Sequence, residues 1–238
     1  MESIVSVKNV SKSFDQLMVL DNVSLDVQKG ESIVIVGPSG VGKSTLLRII
    51  AGLETPDSGT VKMTTDKISM VFQGSALLNS YTIGENIELA LENNGFSKEE
   101  KAEHIIENLR LVGLEKYIDY FPDQLSGGQK KRIGFARAIA SKPEIILYDE
   151  PTTGLDPILS TLIEDYINKL SREFKAASII VTHQLSTIKR TAQRVLLLYK
   201  GNIVWEGSPE EFFKSENPYV KQFVNAEVNG PIFSGLLE

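Results

Sequence analysis

Residues 37–44 read Gly37-Pro38-Ser39-Gly40-Val41-Gly42-Lys43-Ser44 and fit the phosphate-loop pattern G-x-x-x-x-G-K-[ST]. The preceding run, residues 31–36, is short, apolar and rich in β-branched side chains, which predicts a buried strand. A strand, a glycine-rich turn and a helix start would aim backbone N–H groups and a positive helix dipole at one point. Lys43 would reach the β- and γ-phosphates there, and the Ser44 hydroxyl would ligate Mg²⁺. An ordinary glycine-rich turn does not explain this pairing, so the stretch predicts a nucleotide site.

A second motif, Leu125-Ser126-Gly127-Gly128-Gln129, lies further along the chain. Ser126 and Gln129 have the capping-box spacing, so an ordinary helix start is one interpretation. The two glycines add to this, because uncovered N–H groups at a helix N-terminus make an anion site. Two anion sites and one nucleotide per chain predict a two-fold dimer in which each first site faces the second site of the other copy.

Composition narrows the class of protein. The chain has 238 residues, 42% of them hydrophobic, which suits one large α/β domain. The net charge of −6 argues against a nucleic-acid partner, because neutralising phosphates needs a basic face. The absence of cysteine excludes disulfides, thiolate metal sites and cysteine nucleophiles, and the isolated His104 and His183 do not suggest a zinc site.

The sequence contains no membrane-spanning pattern. No run approaches the roughly 18 apolar residues that would cross a bilayer. The N-terminus also lacks the basic then apolar layout of a signal peptide. We therefore expect a cytosolic subunit; if it acts in transport, another chain must supply the membrane path.

Hydrophobic periodicity predicts strands and helices in an α/β arrangement. In the first half we expect an antiparallel hairpin at a sheet edge from residues 4–7 and 18–27, separated by residues 11–16, then a helix over 43–53, a turn at 56–59 and strands near 60–63 and 67–72. Capping-box spacings at Thr82 and Ser97 predict helix starts. In the second half we expect helices over 129–140 and 157–174, the latter capped by Asp156-Pro157, and strands at 144–148, 178–182, 195–199 and 203–205. This alternation predicts a largely parallel sheet covered on both faces.

Polar residues follow several predicted strands. Asp149 and Glu150 end an apolar run, where Asp149 would hold Mg²⁺ through water and Glu150 would orient or activate the attacking water. A solvated strand end is the ordinary alternative, but open parallel sheets place their ligands at this edge. Gln73 could reach the metal and sense the γ-phosphate, and His183 could act as a hydrogen-bonding sensor of the same group. Phe14 could stack on a base, although a core phenylalanine would read the same way.

Together these residues resemble the nucleotide-binding domain of ATP-binding-cassette (ABC) transporters, from Ile4 to about Phe213. The resemblance implies that Glu150, His183 and Gln73 are catalytic and that Ser44, Gln73 and Asp149 hold the metal. Gly154-Leu155-Asp156 matches the D-loop. The residues expected to bind ATP are Phe14, Val19, Gly37, Pro38, Ser39, Gly40, Val41, Gly42, Lys43, Ser44, Thr45, Ser126, Gly127, Gly128, Gln129 and Asp156.

The resemblance also implies an architecture and partners. It implies an α/β fold with a P-loop NTPase core, a mostly parallel sheet, an antiparallel β edge subdomain and a helical signature subdomain over about 80–140, all within residues 1–216. Two copies would sandwich two ATP molecules with Mg²⁺. Closure and reopening would drive a membrane permease that docks on the helical lobe, about residues 80–124.

A narrower resemblance concerns the cargo. Residues 72–78, 153–158, 198–207 and 217–223 look like the Mla/Mce group of phospholipid-transport ATPases. That group implies a permease, an Mce-domain lipid-binding protein and a peripheral location on the cytoplasmic face of the inner membrane. The inference is by association, because these residues would not touch lipid. An amino-acid or other small-solute importer is the alternative. A non-transport ABC ATPase fits less well, because the interval between the two motifs is short and lacks heptads.

The tail, residues 217–238, is apolar for a solvated terminus. Its apolar residues are Tyr219, Phe223, Val224, Ile232, Phe233, Leu236 and Leu237. Two interpretations remain open: the tail packs across the dimer, or it covers a patch of its own subunit.

Overall fold

The structure is a computed structural model that describes residues 3–92 and 95–232. Its strands are β1 (Ser3–Phe14), β2 (Leu17–Gln28), β3 (Ser32–Val36), β4 (Ser58–Met63), β5 (Ile68–Val71), β6 (Ile145–Asp149), β7 (Ala177–Val181), β8 (Arg194–Tyr199) and β9 (Asn202–Gly207). Its α-helices are α1 (Lys43–Ile50), α2 (Ile83–Glu88), α3 (Lys98–Leu111), α4 (Gly127–Ala140), α5 (Pro157–Phe174), α6 (Leu185–Thr191), α7 (Pro209–Lys214) and α8 (Pro218–Asn225). Single 3₁₀ turns lie at Leu89–Leu91, Glu115–Tyr117 and Pro122–Gln124.

The strands form two sheets. The larger has six strands in the order β5-β6-β7-β3-β8-β9, parallel except for the last pair. The smaller is antiparallel, with the order β2-β1-β4. The predicted α/β class with a mostly parallel sheet and an antiparallel subdomain is confirmed.

The N-terminal hairpin differs from its prediction in two respects. It belongs to a separate sheet in which β1 is the central strand, because β4 pairs along its other side. Its turn is also shorter than expected: Phe14 pairs with Leu17, so residues 11–14 are strand and only 15–16 turn. Asp15 has φ 52°, the left-handed conformation that tight hairpin turns use.

Alternate side chains of the large sheet enter two cores. From β3, Ile33 and Ile35 pack with α1 and the antiparallel sheet, while Val34 and Val36 pack with the helices of the opposite face. Each fully buried aliphatic side chain contributes about 1.5–3 kcal/mol. All five residues of β3 are buried, so the strand that leads into the glycine loop has a rigid setting.

Helix starts follow the capping signals. Thr82, Ser97 and Ser126 each form the predicted capping box, and Asp156 caps α5 with Pro157 behind it. Because Ser126 is the cap, α4 begins at Gly127 rather than at the predicted residue 129. Helix α1 ends at Ile50 rather than 53, because Gly52 takes φ 71° just past the last turn.

The described part of the tail packs against its own subunit. Val220 and Ile232 are buried, and the Gln222 side chain accepts a hydrogen bond from the Ile232 amide at 2.7 Å. The Tyr199 hydroxyl donates to the Pro231 carbonyl at 3.0 Å, and Phe223 meets Phe212 edge to face. Phe233, Leu236 and Leu237 lie outside the described residues, so a crossing to a second copy stays a prediction.

Helices α6 and α7 were not anticipated. The Ser208–Glu211 capping box, with Pro209 at the first helical position, is a signal from which α7 could have been predicted. Within residues 3–92 and 95–232, no helix has the length and apolar character needed to cross a membrane.

Candidate nucleotide site

The loop between β3 and α1 has the shape of an anion cradle. Gly37 and Gly42 have φ 153° and 102°, and neither has room for a side chain. A Cβ on Gly37 would lie 2.3 Å from the Leu198 carbonyl oxygen, and one on Gly42 would lie 2.9 Å from Val19. Val19, predicted to contact nucleotide, therefore lies against the loop. The glycines are required for the backbone to form a turn with its N–H groups uncovered.

Lys43 folds back over this loop. Its Nζ donates to the carbonyl oxygens of Gly37 and Pro38, both at 2.8 Å. Burial lowers the pKa of Lys43, and the nearby carboxylates of Glu150 and Asp149 oppose that shift. An ammonium group has three donors, so these contacts leave one for a phosphate oxygen. The loop thus fits a polyphosphate.

Ser44 and Asp149 supply the oxygens expected for a hard cation. The Ser44 Oγ donates to Asp149 Oδ1 at 2.8 Å. Burial raises the pKa of Asp149, while the hydrogen bond from Ser44 and the charge of Arg48 lower it. Mg²⁺ is bound by one or two carboxylates together with substrate phosphates and water, so this donor set fits that ion.

Glu150 lies directly after β6 and is surrounded by donors. Its backbone takes φ 51°, and its amide donates to the Val181 carbonyl at 2.9 Å. The Thr153 and Thr182 hydroxyls donate to Oε2 at 3.0 and 3.2 Å. His183 Nδ1 lies 2.8 Å from Oε1, within hydrogen-bond distance. A left-handed non-glycine residue held in this way is typical of a functional site.

Gln73 and Phe14 lie at the margins of this group. Gln73 is two residues past the end of β5, is exposed and makes no hydrogen bond within the described part of the chain, so its metal and sensor roles stay predictions. Phe14 ends β1 and is 44% exposed, with Lys12 Nζ 5.1 Å from its ring centroid. An exposed ring disfavours the core interpretation and leaves Phe14 available for stacking.

The second motif is not brought to the loop within one chain. Ser126 Oγ accepts from the Gln129 amide at 3.3 Å, and Gln129 Oε1 accepts from the Ser126 amide at 2.8 Å. Gly127 is exposed, and a Cβ there would meet nothing within 4 Å. Among the described residues, no hydrogen bond joins residues 126–129 to the loop 37–45. Asp156 Oδ1 is occupied in capping α5, accepting from Ile158 and Leu159.

The sequence analysis did not predict several contacts that hold Glu150 and the loops after Glu150 and Gln73 in place. Thr153 and Thr182 were not singled out, although Thr153 lies three residues after Glu150 and Thr182 directly precedes His183. Lys131 on α4 donates through Nζ to the Thr153 carbonyl, and Arg137 on the same helix donates to the Ala76 carbonyl at 2.8 Å. The helix that carries the second motif thereby contacts both the loop after Glu150 and the loop after Gln73.

A cavity of about 750 Å³ opens between the glycine loop and the tail. Gly37, Pro38, Ser39 and His183 line one side of it, and Gln222, Phe223, residues 226–228 and Ile232 line the other. The loop, the histidine and the tail therefore line one cavity.

Similarity to known proteins extends over most of the chain. The sequence profile described as ABC transporter matches residues 20–153, which include the glycine loop, the second motif and Glu150. Protein TRIGALACTOSYLDIACYLGLYCEROL 3, chloroplastic, from Arabidopsis thaliana is 40% identical, over 96% of this chain and 75% of that protein. The probable amino-acid import ATP-binding protein YxeO from Bacillus subtilis (strain 168) is 39% identical, over 93% of this chain and 96% of that protein. A dimeric ATP-binding cassette solved in a post-hydrolysis state, bound to ADP and Pi, superposes with a TM-score of 0.81 at 34% identity, covering 86% of this chain and 98% of that one.

Proposed function

Because the chain belongs to the ATP-binding cassettes of ABC transporters, we propose that it powers the transport of a lipid through a separate membrane permease. ATP hydrolysis coupled to transport is the activity of this family, with ATP and Mg²⁺ bound in the cassette. The finer parts of the proposal are the roles of individual residues, the partners and the cargo.

The catalytic part rests on the position of Glu150. Its carboxylate accepts from two threonine hydroxyls and lies within hydrogen-bond distance of His183, so the carboxylate is held in place at the end of β6. In this proposal Glu150 orients the attacking water and accepts its proton, and His183 contacts the γ-phosphate while held by Glu150. Lys43 and the loop amides bind the phosphates, and Ser44 and Asp149 hold Mg²⁺. When bound, that ion neutralises charge on the β- and γ-phosphate oxygens.

A second copy of the chain completes this site in the proposal. At the N-terminus of α4, Gly127 is exposed, and the amides of Gly127 and Gly128 have no hydrogen-bond acceptor among residues 3–92 and 95–232. The dimeric relative supports a two-fold arrangement in which these donors meet the γ-phosphate held by the other copy.

A permease would dock on the helical subdomain. Leu78, Tyr81, Tyr120 and Phe121 are large, apolar and exposed. They lie close together because the Ile83 amide donates to the Tyr120 carbonyl at 2.8 Å. An exposed apolar group of this kind is typical of an interaction site. We expect Phe121→Glu to lose the permease in co-purification while ATP affinity is kept, and Ile106→Glu, an exposed apolar position on α3, to keep it. Loss with both variants or with neither contradicts this docking site.

The lipid cargo is supported by association. The relative at 40% identity carries the name of a lipid, trigalactosyldiacylglycerol. The proposal includes an Mce-domain partner and a position on the cytoplasmic face of the inner membrane, as in the Mla/Mce group. The relative at 39% identity favours a second candidate, amino-acid import.

The two cargoes can be separated with the complex purified from its native membrane. ATPase activity is measured in proteoliposomes with added phospholipid or with a panel of amino acids, and the Glu150→Gln complex gives the background. Stimulation by phospholipid alone supports lipid transport, with an Mce-domain protein among the co-purifying subunits. Stimulation by an amino acid alone overturns it.

A further inference from the structure

A side-chain hydrogen bond ties the loop carrying Glu150 to the loop carrying His183. Thr152 lies two residues after Glu150, is fully buried and donates through Oγ1 to Gln184 Oε1 at 2.9 Å. Gln184 directly follows His183, whose own side chain is 54% exposed. Packing therefore does not fix the histidine, and its position depends on its contact with Glu150 and on its two neighbours in the loop. On the other side, Thr182 is held through its amide, which donates to the Ile35 carbonyl at 3.2 Å.

Behind this bond lies a buried carboxylate with no part in the nucleotide site. Glu164 on α5 is 1% exposed. It accepts from Arg190 Nε at 2.9 Å and from the Thr187 hydroxyl at 2.8 Å, both residues lying on α6. Thr187 Oγ1 in turn lies 3.2 Å from Thr152 Oγ1. A continuous chain of side chains thus runs from the surface to the two loops: Arg190, Glu164, Thr187, Thr152 and Gln184.

The contact with Glu164 sets the direction of the hydrogen bonds in this chain. The Thr187 hydroxyl donates to Glu164 Oε1. The single hydroxyl proton of Thr187 is then committed, and Thr187 can only accept from Thr152. Thr152 shares its own proton between Thr187 at 3.2 Å and Gln184 at 2.9 Å. Buried networks satisfied in this way rigidify their surroundings.

We propose that Glu164 and Thr187 are positioning residues for ATP hydrolysis: Thr187, fixed by Glu164, keeps the Thr152 side chain in the orientation from which it reaches Gln184, and this keeps His183 in contact with Glu150. The inference rests on the proposed roles of Glu150 and His183. Neither Glu164 nor Thr187 belongs to the candidate nucleotide site; both would act through the loops that carry Glu150 and His183.

Thr187→Val tests the proposal in the full-length chain, because it keeps the shape and removes the hydroxyl. We expect kcat for ATP hydrolysis to fall about 10- to 100-fold, the loss typical of a misplacement of about 1 Å at the reacting groups. The KM for ATP should stay within about two-fold, because Lys43 and the loop amides are untouched. Thr187→Ser should restore kcat.

Thr191→Val is the matched control. Thr191 lies one turn further along α6 and is also buried. Within the described part of the chain its hydroxyl donates only to the Thr187 carbonyl, at 2.7 Å. It removes the same group from the same helix without interrupting the chain to Thr152. We expect it to keep wild-type kcat even where its melting temperature falls as far as that of Thr187→Val. Equal kcat in the two valine variants overturns the proposal.

A readout without nucleotide distinguishes positioning from general destabilisation. The Gln184 amide donates to Thr182 Oγ1 at 3.1 Å, so its hydrogen exchange reports on the loop. Exchange at this amide should be roughly ten-fold faster in Thr187→Val than in Thr191→Val at equal global stability. Equal exchange contradicts the proposal.

Gln184→Met provides the same test if Thr187→Val does not fold, since it leaves Glu164 with both partners and should lose kcat in the same way. Glu150→Gln distinguishes a wrong role for Glu150 from a wrong role for the positioning residues. If Glu150→Gln keeps turnover, the role given to Glu150 is wrong. If Glu150→Gln is inactive while Thr187→Val and Gln184→Met turn over normally, only the positioning network is wrong.

Discussion

The glycine loop and the N-terminus of α4 both have backbone suited to binding an anion, but they differ in how many side chains of the same chain surround them. Around the loop, Lys43, Ser44, Asp149 and Glu150 are buried or partly buried and bonded to one another or to nearby backbone. At α4, Gly127 is exposed and faces open space. In the proposed mechanism this difference is expected, because one copy would bind ATP at its loop and the α4 terminus of a second copy would complete the site for hydrolysis.

Replacing Glu150 with Gln should stop ATP hydrolysis at the site formed by the glycine loop without preventing ATP binding there. We expect turnover to fall by about 10²- to 10⁴-fold, the contribution of a general base, because an amide cannot take the proton from water. ATP affinity should persist, and the ATP-bound dimer should accumulate in gel filtration.

Glu144→Gln is the matched control for this variant, because Glu144 precedes the same strand and pairs with Lys29 and Lys67 at the opposite end. Wild-type turnover in Glu150→Gln contradicts the assignment.

Replacing Ser126 with Arg should disable the N-terminus of α4 and leave the glycine loop of the same chain intact. The large side chain would fill the open space at the helix N-terminus, so turnover should fall by about 10²- to 10³-fold, as when a preorganised donor is lost. ATP affinity of the isolated chain should stay unchanged in equilibrium titration.

Ser97→Arg controls for the lost cap, since Ser97 forms the same capping box on α3. If Ser97→Arg loses as much turnover as Ser126→Arg, the effect is structural and not one of shared catalysis.

Replacing Lys43 with Ala should weaken ATP binding by the single chain, an effect that does not depend on a second copy. One charge-assisted hydrogen bond is worth about 1.5–3 kcal/mol, so ATP affinity should fall roughly 10- to 100-fold. Isothermal titration of the single chain measures this, with the exposed Lys67→Ala as control. Unchanged affinity would mean that Lys43 does not contact the phosphates.

Replacing Asp149 should have the smallest effect, and it should stabilise the nucleotide-free chain rather than impair it. Burial raises the pKa of Asp149, so its contribution to stability is present below the unfolded-state pKa and is lost as pH rises through the folded-state pKa. At pH 7 the ionised carboxylate therefore carries a cost when no metal is bound. Asp149→Asn should raise the melting temperature of the nucleotide-free chain by no more than ~2 °C, since solvent screens part of the charge.

The same variant should lose the further stabilisation that Mg²⁺ and ATP give to the wild type. Calorimetry with and without the ligands checks both signs. A lower melting temperature for nucleotide-free Asp149→Asn would mean that the buried charge of Asp149 does not destabilise the folded chain.

Local sequence patterns predicted the backbone structure around the glycine loop well. The buried strand, the glycines and the helix start at Lys43 each have a signature within a few residues, and so do the caps at Ser126 and Asp156. These features depend on backbone conformation and on contacts close in sequence, which a single chain reveals.

Contacts between distant segments could not be predicted in this way. The donors around Glu150 come from a second strand end at Thr182, and the pairing of β1 with β4 joins segments some fifty residues apart. Thr187 and Glu164 read as ordinary helical positions, because nothing local marks them as partners. The packing of Ile232 on Gln222 likewise became visible only once the tail was folded.

The most direct test of the shared site mixes Ser126→Arg with Lys43→Ala. In a mixed dimer one composite site combines the intact loop of the first variant with the intact α4 terminus of the second, and the other site carries both defects. Each variant alone should be nearly inactive, and ATPase activity should reappear on mixing, approaching half that of the wild type per mixed dimer if the sites act independently. If mixed dimers form, as mass measurement on differently tagged copies can establish, and no activity returns, the two half-sites do not complete one another across two chains.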